Sequence, residues 1–362
     1  MLIRADDLTR LVHDIFHAEG CSDAESGRIA LYLVRANLAG HDSHGVIRVP
    51  RYVAWERSGE FVKNQTAAIV TENDAMAVVD GRFGFGQSIG PEAVQIGMRK
   101  AAKTGAAIVA LKSSGHLGRI GEWAEMAAEA GLVSVHFVNV AGSQLVAPFG
   151  GVDRRISTAP FAIGFPLKGG AEPAILDFAT SAVAEGKVLV AARGGKKLPP
   201  GSLIEPDGRT TADPRTLYGE WGEDEAPDAR KGQGAIRAFG EHKGSGLAFM
   251  CELLAGAFTG SGCAGPGERR FANGMLSFYM APSVFGTDES YAAEAQRYID
   301  YFKSSRPATP GGEVLVPGEP ERRMRAERLK NGVPLPDDAW RAICDTARMV
   351  GVDPSRYPVI EA

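Results

Sequence analysis

Apolar residues near the start of the chain recur every three to four positions, the period of an amphipathic helix. They are Leu8, Leu11, Val12, Ile15 and Phe16. Gly20 ends this run, and Ser22 followed by Glu25 predicts the capped start of a second helix. A third helix is predicted before residue 60. Residues 6–60 are therefore predicted to be helical.

After residue 62 the period of the pattern changes. Two short apolar runs flank a polar turn and predict a β-hairpin. Helices and strands then alternate, and a segment rich in Gly, Pro, Asp and Lys predicts loops. The predicted elements are hairpin strands at 67–70 and 76–79, helices at 90–103, 119–130 and 243–258, strands at 107–111, 133–138, 174–176 and 275–280, and loops over 194–235.

The C-terminal part is again helical, with helices predicted at 289–304, 319–331 and 337–350. The order of helical, mixed α/β and helical parts suggests that the two ends of the chain pack together. We therefore expect two domains: a discontinuous helical domain of residues 1–62 and 288–362, and a mixed α/β domain of residues 63–287. A length of 362 residues agrees with two domains.

The composition is that of a soluble globular protein. Hydrophobic residues make up 44% of the chain, charged residues 23%, and the net charge is −4. This charge argues against a nucleic-acid-binding face, and no apolar run approaches the roughly 18 residues of a membrane span. The N-terminus lacks the pattern of a signal peptide. We expect a cytoplasmic protein that binds neither nucleic acid nor membrane and holds no metal.

The familiar nucleotide signatures are missing. The segment Gly84–Gly90 comes close to the G-x-G-x-x-G fingerprint, but its last interval is one residue too long. A P-loop is also absent. A Rossmann domain and a P-loop ATPase are therefore disfavoured.

A first cluster of reactive side chains is His41–Gly45, with Arg48 and Tyr52 downstream. On a helix, His44, Arg48 and Tyr52 share one face. That face offers a proton-transfer group, a guanidinium fork suited to a carboxylate, and a phenol. The alternative is an ordinary helix cap with two solvent-facing histidines. A metal site in this cluster is the least favoured reading.

A second cluster, Ser113–Gly121, follows a predicted strand and precedes a predicted helix. Ligands of open α/β sheets favour the carboxyl ends of strands. His116 in this loop is a candidate general acid/base because an unperturbed imidazole titrates near neutrality. The alternative is a histidine that merely hydrogen-bonds the backbone.

Two further clusters lie at helix starts. Asp177–Ser181 places an acid and hydroxyls at the end of a strand, where an acid can bind a ribose hydroxyl and a helix N-terminus can face phosphate. Glu241–Gly246 opens the long apolar helix, and its Lys243 suits a phosphate or a carboxamide. Ordinary N-capping is the alternative for both clusters.

Taken together, segments along nearly the whole chain resemble the malate/L-lactate dehydrogenase family of the second type, the sulfolactate- and ureidoglycolate-dehydrogenase-like family. These segments are Ala39–Gly45, Gly115–Gly121, Val146–Gly151, Leu176–Ser181, His242–Gly244 and Val316–Glu319. Within the family, the chain looks most like the hydroxycarboxylate dehydrogenase B subgroup. The segments that favour this subgroup are Asn37–Gly45, Gly118–Glu125 and Trp340–Asp345.

The resemblance implies a mixed α/β, non-Rossmann, sulfolactate-dehydrogenase-like fold. It also implies a homodimer and an NAD(P)-dependent oxidoreductase that interconverts 2-oxo and 2-hydroxy acids. The catalytic residues it implies are His116, His44 and Ser43, and the substrate-binding residues are Arg48 and Tyr52. The cofactor-binding residues it implies are Ser143, Thr158, Asp177, Ala179, Lys243, Gly318 and Glu319.

Several alternatives remain open within this reading. His116 and the pair Ser43–His44 compete for the role of proton donor. NAD is favoured over NADP, although Asp177 supports NAD only weakly. A reductase of cyclic imino acids, such as piperideine-2-carboxylate, would need the same hydride and carboxylate chemistry. The family often has Thr-Asn-Pro where this chain has Thr158-Ala159-Pro160, so Ala159 is given no role.

Arginines and a lysine cluster in the last third of the chain. They are Arg322, Arg323, Arg325, Arg328 and Lys330. Glu321 and Glu327 interleave with them, which favours a solvated helix face over a binding patch.

Overall fold

The fold is taken from a computed structural model, which describes residues 1–167, 171–192, 197–222, 229, 231–267, 270–286 and 288–360. The described residues form α1 (Ala5–Ala18), α2 (Asp23–Leu38), α3 (Val49–Arg57), α4 (Gly86–Thr104), α5 (Gly121–Glu129), α6 (Glu185–Ala192), α7 (Arg215–Tyr218), α8 (His242–Cys251), α9 (Asp288–Lys303), α10 (Glu319–Asn331) and α11 (Asp337–Met349).

The strands are β1 (Leu2–Ile3), β2 (Ala68–Glu72), β3 (Met76–Asp80), β4 (Ala106–Ser114), β5 (Val133–Ala141), β6 (Val146–Ala147), β7 (Pro160–Phe165), β8 (Ala174–Ala179), β9 (Leu203–Ile204), β10 (Thr210–Thr211), β11 (Ala235–Arg237), β12 (Ala272–Met280), β13 (Val333–Pro334) and β14 (Val359–Ile360). The helices and strands predicted from the period of the pattern are confirmed. In the described part of the chain, no helix is long and apolar enough to cross a membrane.

The two ends of the chain meet in a small antiparallel sheet. β1 lies between β13 and β14, with Leu2 opposite both Pro334 and Ile360. The apolar faces of α1, α2, α3 and α11 pack into one core with this sheet. The proposed domain boundaries at residues 62 and 288 stay a prediction.

A seven-stranded mixed sheet forms the centre of the molecule, in the order β2-β3-β4-β12-β5-β7-β8. β3 and β4 are parallel, and the other neighbours are antiparallel. α4 and α5 cover this sheet, and their buried residues share a second core with β4 and β12. The loop after β4 touches both cores, because a Cβ atom at Gly115 would lie 3.3 Å from Phe61 of the first core and Leu117 belongs to the second.

The expectation of loops over residues 194–235 is wrong in part; residues 194–196, 223–228 and 230 of this range lie outside the described residues. This region contains β9, β10, α7 and the start of β11, and β11 pairs in parallel with β6. A third apolar core lies under these short elements. Strands of two or three residues carry no readable period, so the sequence pattern could not reveal them.

Candidate active site

His116 lies in the loop between β4 and α5, and backbone contacts hold this loop on both sides. The Oδ1 atom of Asn273 accepts the N–H of Leu117 at 2.8 Å. A Cβ atom at Gly86 would lie 2.1 Å from the His116 carbonyl oxygen, so only glycine permits this approach. The position of the imidazole is therefore fixed by its surroundings.

The side chain of His116 has a partner from the first core. The hydroxyl oxygen of Tyr52 lies 2.6 Å from His116 Nδ1. Tyr52 is fully buried. The Nε2 atom of Gln87 donates to the Tyr52 hydroxyl at 3.2 Å. The Tyr52 hydroxyl is thus held between His116 and Gln87. That Tyr52 binds the substrate stays a prediction.

His44 lies beside His116. The two rings stack with centroids 5.5 Å apart and planes inclined by 12°. Ser43 Oγ lies 3.0 Å from His44 Nδ1. α6 packs closely against Ser43, since a Cβ atom at Gly186 would lie 2.5 Å from Ser43 Cβ. The structure thus brings all three predicted catalytic residues together.

Arg48 is joined to this group through its Nε atom, which donates to the Ser43 carbonyl oxygen at 2.6 Å. Neither Nη atom of Arg48 has a hydrogen-bond partner among the described residues, and the side chain is only half-buried. The guanidinium fork is therefore open to an anion next to the two histidines.

The expectation that His44, Arg48 and Tyr52 lie on one face of a single helix is wrong. Two separate 3₁₀ turns precede α3, and Gly45 between them is extended, with φ −90° and ψ −153°. The three side chains converge on one site because the chain turns there. A helical register does not bring them together.

The site depresses the basicity of both histidines. Burial, and after it the positive charge of Arg48, lowers the pKa of His44 to about 3 and holds the pKa of His116 well below its usual value. Burial also raises the pKa of the Tyr52 hydroxyl. In the free protein at neutral pH, both imidazoles are neutral and Tyr52 is a phenol.

Four of the seven predicted cofactor positions lie at the carboxyl end of the edge strand β8. Asp177 and Ala179 are on β8 itself. The Thr158 carbonyl accepts the N–H of Thr180, just after the strand, at 3.0 Å. Lys243 is exposed in the first turn of α8, and a Cβ atom on the glycine after it would lie 2.7 Å from the Thr180 carbonyl oxygen.

Gly318 and Glu319, at the start of α10, lie at the other end of β8. The Pro317 carbonyl accepts the N–H of Ile175 at 3.1 Å. Gly318 follows with φ +94°, in the left-handed region. The carboxylate of Glu319 is already paired with Lys303 at 2.5 Å. A Cβ atom at Gly318 would lie 2.7 Å from Arg322 Nη1 and 3.2 Å from the Ile175 nitrogen, so glycine is required here by the packing of α10 against β8. Glu319 offers a side chain that already has a partner.

Two of the predicted cofactor positions differ from the rest: the side chain of Asp177 is nearly buried, and Ser143 lies apart from the other positions. The side chain of Asp177 is 9% exposed, and its Oδ2 atom accepts the N–H of Gly121 at 2.8 Å and lies 3.8 Å from Arg119 Nε. Asp177 thus caps α5. Ser143 is half-buried in the loop between β5 and β6, and no described contact joins it to the other positions.

The solvated face expected for α10 is found only in part, because Arg323 and Lys330 are exposed whereas Arg325 and Arg328 are not. Arg328 is 8% exposed and pairs with Asp42 at 2.6 Å. Arg325 pairs with the buried Glu125 at 3.0 Å. These two side chains reach back to other elements, since Arg328 also donates to the Asn37 carbonyl oxygen of α2 and Glu125 lies on α5. A local charge pattern cannot show such contacts. Within the ranges that the structure describes, no group of three His, Cys, Asp or Glu side chains could hold a metal ion.

Sequence reasoning missed Gln87 and Asn273, which hold Tyr52 and the His116 loop. Gln87 lies inside Gly84–Gly90, the segment that resembled a nucleotide fingerprint. Gly86 in this segment allows the close approach to the backbone of the His116 loop, so the cluster of glycines was the available signal. Asn273 carries no local signal, because its partner lies 156 residues away.

Comparisons with known proteins agree with this site and fold. The family model for malate/L-lactate dehydrogenase matches residues 3–344. Hydroxycarboxylate dehydrogenase B of Escherichia coli K12 is 40% identical over 353 residues, covering 96% of this chain and 94% of that protein.

Two solved structures extend this likeness. Sulfolactate dehydrogenase from Methanocaldococcus jannaschii superposes with a TM-score of 0.84, 30% identity and 99% coverage of each chain. Delta1-piperideine-2-carboxylate reductase from Pseudomonas syringae pv. tomato has a TM-score of 0.79 and 28% identity, covering 96% of this chain and 100% of that one. The sulfolactate-dehydrogenase-like fold predicted from the sequence is confirmed. The chain belongs to the malate/L-lactate dehydrogenase family.

Proposed function

We propose that this protein is an NAD(P)-dependent dehydrogenase that interconverts 2-oxo acids and 2-hydroxy acids. Its relatives are dehydrogenases of hydroxy acids, which supports an oxidoreductase acting on such acids. The observation that carries the proposal is the open fork of Arg48 beside two stacked neutral histidines. This arrangement suits a small carboxylate with a reacting oxygen next to it.

The cofactor positions fit a nicotinamide dinucleotide. Around β8 they supply an exposed ammonium from Lys243, a half-buried hydroxyl from Thr158, and the left-handed backbone of Gly318. When bound, the nicotinamide supplies or accepts the hydride. We favour NAD over NADP. Asp177 contributes little to this choice, because its carboxylate already caps α5.

In the proposed mechanism, Arg48 binds the substrate carboxylate through its two Nη atoms, and His116 moves the proton. Tyr52 holds His116 Nδ1 at 2.6 Å, so Nε2 is the nitrogen that faces the substrate oxygen. During reduction of the 2-oxo group, His116 delivers a proton from Nε2. During oxidation, the same nitrogen accepts it.

Substrate binding also prepares the proton donor. The charge of Arg48 helps to keep both histidines neutral in the free protein. A carboxylate bound to Arg48 offsets that charge, so protonation of His116 becomes easier in the complex. We therefore expect binding of an oxo acid to be accompanied by proton uptake.

The test follows absorbance at the reduced-nicotinamide band with NADH and NADPH in turn. The panel contains pyruvate, phenylpyruvate, oxaloacetate, oxopantoate and piperideine-2-carboxylate. His116→Ala should lower kcat by about 10²–10⁴-fold while NADH binding, followed by fluorescence, survives. If His116→Ala keeps normal turnover and His44→Ala loses it, the Ser43–His44 pair is the donor. Normal turnover in both variants would refute a histidine acid/base.

A second candidate is a reductase of cyclic imino acids, which the piperideine-2-carboxylate reductase neighbour favours. Arg48 would bind the ring carboxylate in the same way. Turnover of the cyclic imine with no 2-oxo acid turned over would select this reading. No consumption of either cofactor with any compound of the panel would refute both.

We further propose a cytoplasmic homodimer. Large apolar side chains on and after α8 are exposed in the single chain, including Phe249, Leu253 and Phe258 at 58%, 42% and 74%. An apolar face of this kind is typical of a subunit interface. Analytical ultracentrifugation should give about twice the mass of one chain, and a stable monomer would contradict the proposal.

A further inference from the structure

Gln87 is a buried polar residue that the mechanism above does not use. It lies in the first turn of α4 and is 1% exposed. Its amide nitrogen donates to the Tyr52 hydroxyl at 3.2 Å and to the His116 carbonyl oxygen at 3.4 Å. Its Oε1 atom is buried and has no hydrogen-bond partner among the described residues. An unpaired buried amide oxygen is costly, which points to a use for it.

The contact with Gln87 constrains the Tyr52 hydroxyl. A phenol oxygen has two in-plane hydrogen-bonding directions, one for its own proton and one for a donor. Because the Gln87 N–H takes the accepting direction, the Tyr52 proton points to His116 Nδ1. Nδ1 is then an acceptor, and the proton of the neutral ring is on Nε2, the nitrogen that faces the substrate.

We propose that Gln87 is a positioning residue that acts through Tyr52 to decide which ring nitrogen of His116 carries the proton. The inference rests on the proposed function, in which His116 transfers that proton. Gln87 itself touches neither the substrate nor the cofactor.

The free Oε1 atom gives Gln87 a second state. When His116 is an imidazolium, Nδ1 also carries a proton and needs Tyr52 as an acceptor. The Tyr52 proton must then turn towards Gln87, and Oε1 is placed to accept it once the amide has turned over. When the imidazolium gives its Nε2 proton to the substrate, Nδ1 keeps its proton. Nδ1–H then still donates to Tyr52, and Tyr52 still donates to Gln87. An amide can either donate to the Tyr52 hydroxyl or accept its proton, so it serves both states. An ionised carboxylate can only accept and serves only the second state, and a hydrocarbon side chain serves neither.

The experiment compares Gln87→Met and Gln87→Glu with the wild type by ¹⁵N NMR of histidine-labelled protein without substrate. The His116→Ala spectrum assigns the His116 signals. The wild type should show an unprotonated Nδ1 and a protonated Nε2. Gln87→Glu should move the proton to Nδ1, because a carboxylate accepts from Tyr52. Gln87→Met should give a mixture of the two tautomers.

Kinetics supply the second readout. In Gln87→Met, kcat should fall by about 10–100-fold with little change in KM. Gln87→Glu should shift the pH profile of kcat upward, because a nearby negative charge raises the pKa of His116. Gln95→Met and Gln95→Glu are matched controls, since Gln95 lies on the same helix and is exposed. Both should behave as the wild type.

The outcomes separate the two proposals. An unchanged His116 tautomer in both Gln87 variants overturns the inference, whatever happens to turnover. A changed tautomer with normal kcat supports the role of Gln87 and removes His116 from proton transfer. Gln87→Glu is nearly isosteric, so it keeps the test decisive even where Gln87→Met folds poorly.

Discussion

Arg48 combines three properties that a pair of substitutions can separate. Its Nε atom holds the Ser43 carbonyl at 2.6 Å, its two Nη atoms are open, and its charge lowers the pKa of both active-site histidines. Arg48→Lys keeps the charge but loses the planar fork. Arg48→Gln loses both the charge and the fork. The two variants therefore distinguish carboxylate geometry from electrostatic control of the histidines.

The magnitude follows from the number of open donors. A hydrogen bond to a charged group contributes about 1.5–3 kcal/mol, and a bidentate carboxylate makes two with the Nη atoms. Arg48→Lys keeps one of them, so kcat/KM should fall by about 10–150-fold. Arg48→Gln keeps at most one neutral bond, so the loss should be about 10²–10⁴-fold. In both variants the rise in KM should exceed the fall in kcat.

The pH dependence gives an independent check. Burial and the charge of Arg48 keep the folded-state pKa of His44 and His116 below the unfolded value. Arg48→Gln removes one of these causes, so both pKa values should rise, and Arg48→Lys should leave them low. In the reduction direction the protonated ring is the donor. The pH above which kcat declines should therefore move upward in Arg48→Gln alone.

The assay combines initial rates over a range of pH with NMR titration of the histidine rings. Wild-type kcat/KM in Arg48→Lys would refute the bidentate carboxylate. Identical ring titrations in the two variants would refute the electrostatic coupling between Arg48 and the histidines. Neither result would depend on which histidine donates the proton.

Two further substitutions test the surroundings of the site. In Gly186→Ala the new Cβ would lie 2.5 Å from Ser43 Cβ. We therefore expect the free energy of unfolding to fall by about 1–3 kcal/mol and kcat to fall as well. A normal kcat would exclude Ser43 from proton transfer. Gly27→Ala, which meets nothing within 4 Å in α2, is the control and should stabilise by about 0.5–1 kcal/mol. Arg119 is 4% exposed and pairs with Glu125 at 2.7 Å, so Arg119→Leu should lose about 3–5 kcal/mol in urea unfolding. A loss below about 1 kcal/mol would show that this buried pair adds little.

The start of α2 shows what a local pattern can predict and what it cannot. Ser22 caps the helix as expected, accepting the N–H of Glu25 at 3.2 Å. In a capping box the Glu25 carboxylate would also accept the N–H of Ser22, and this second bond is absent. The Glu25 carboxylate accepts the N–H of Asn64, and Asn64 in turn accepts the N–H of Ser22. The sequence predicted where the helix begins. It could not predict that Asn64, 39 positions beyond Glu25, accepts the N–H of Ser22 in place of the Glu25 carboxylate.

The active site follows the same logic on a larger scale. The residue types and the loop after β4 were enough to single out His116, because a histidine at a strand end carries a recognisable chemistry. Its two supports were not predictable, since Tyr52 and Gln87 become its neighbours only after α3 and α4 have packed. The spacing of His44, Arg48 and Tyr52 correctly placed Tyr52 near the site, but for a wrong reason, because the three residues do not share one face of a helix.

The packing explains why this distant support is reliable. Tyr52 and Phe85 belong to the core formed by the two chain ends, whereas Leu117 belongs to the core of the seven-stranded sheet. His116 lies between the two and is tied to one by Tyr52 and to the other by the N–H of Leu117. A relative shift of the two cores would have to break one of these buried bonds. The orientation of His116, the proposed proton donor, is therefore set jointly by both cores, and we expect that a substitution deep in either can alter turnover without touching the substrate.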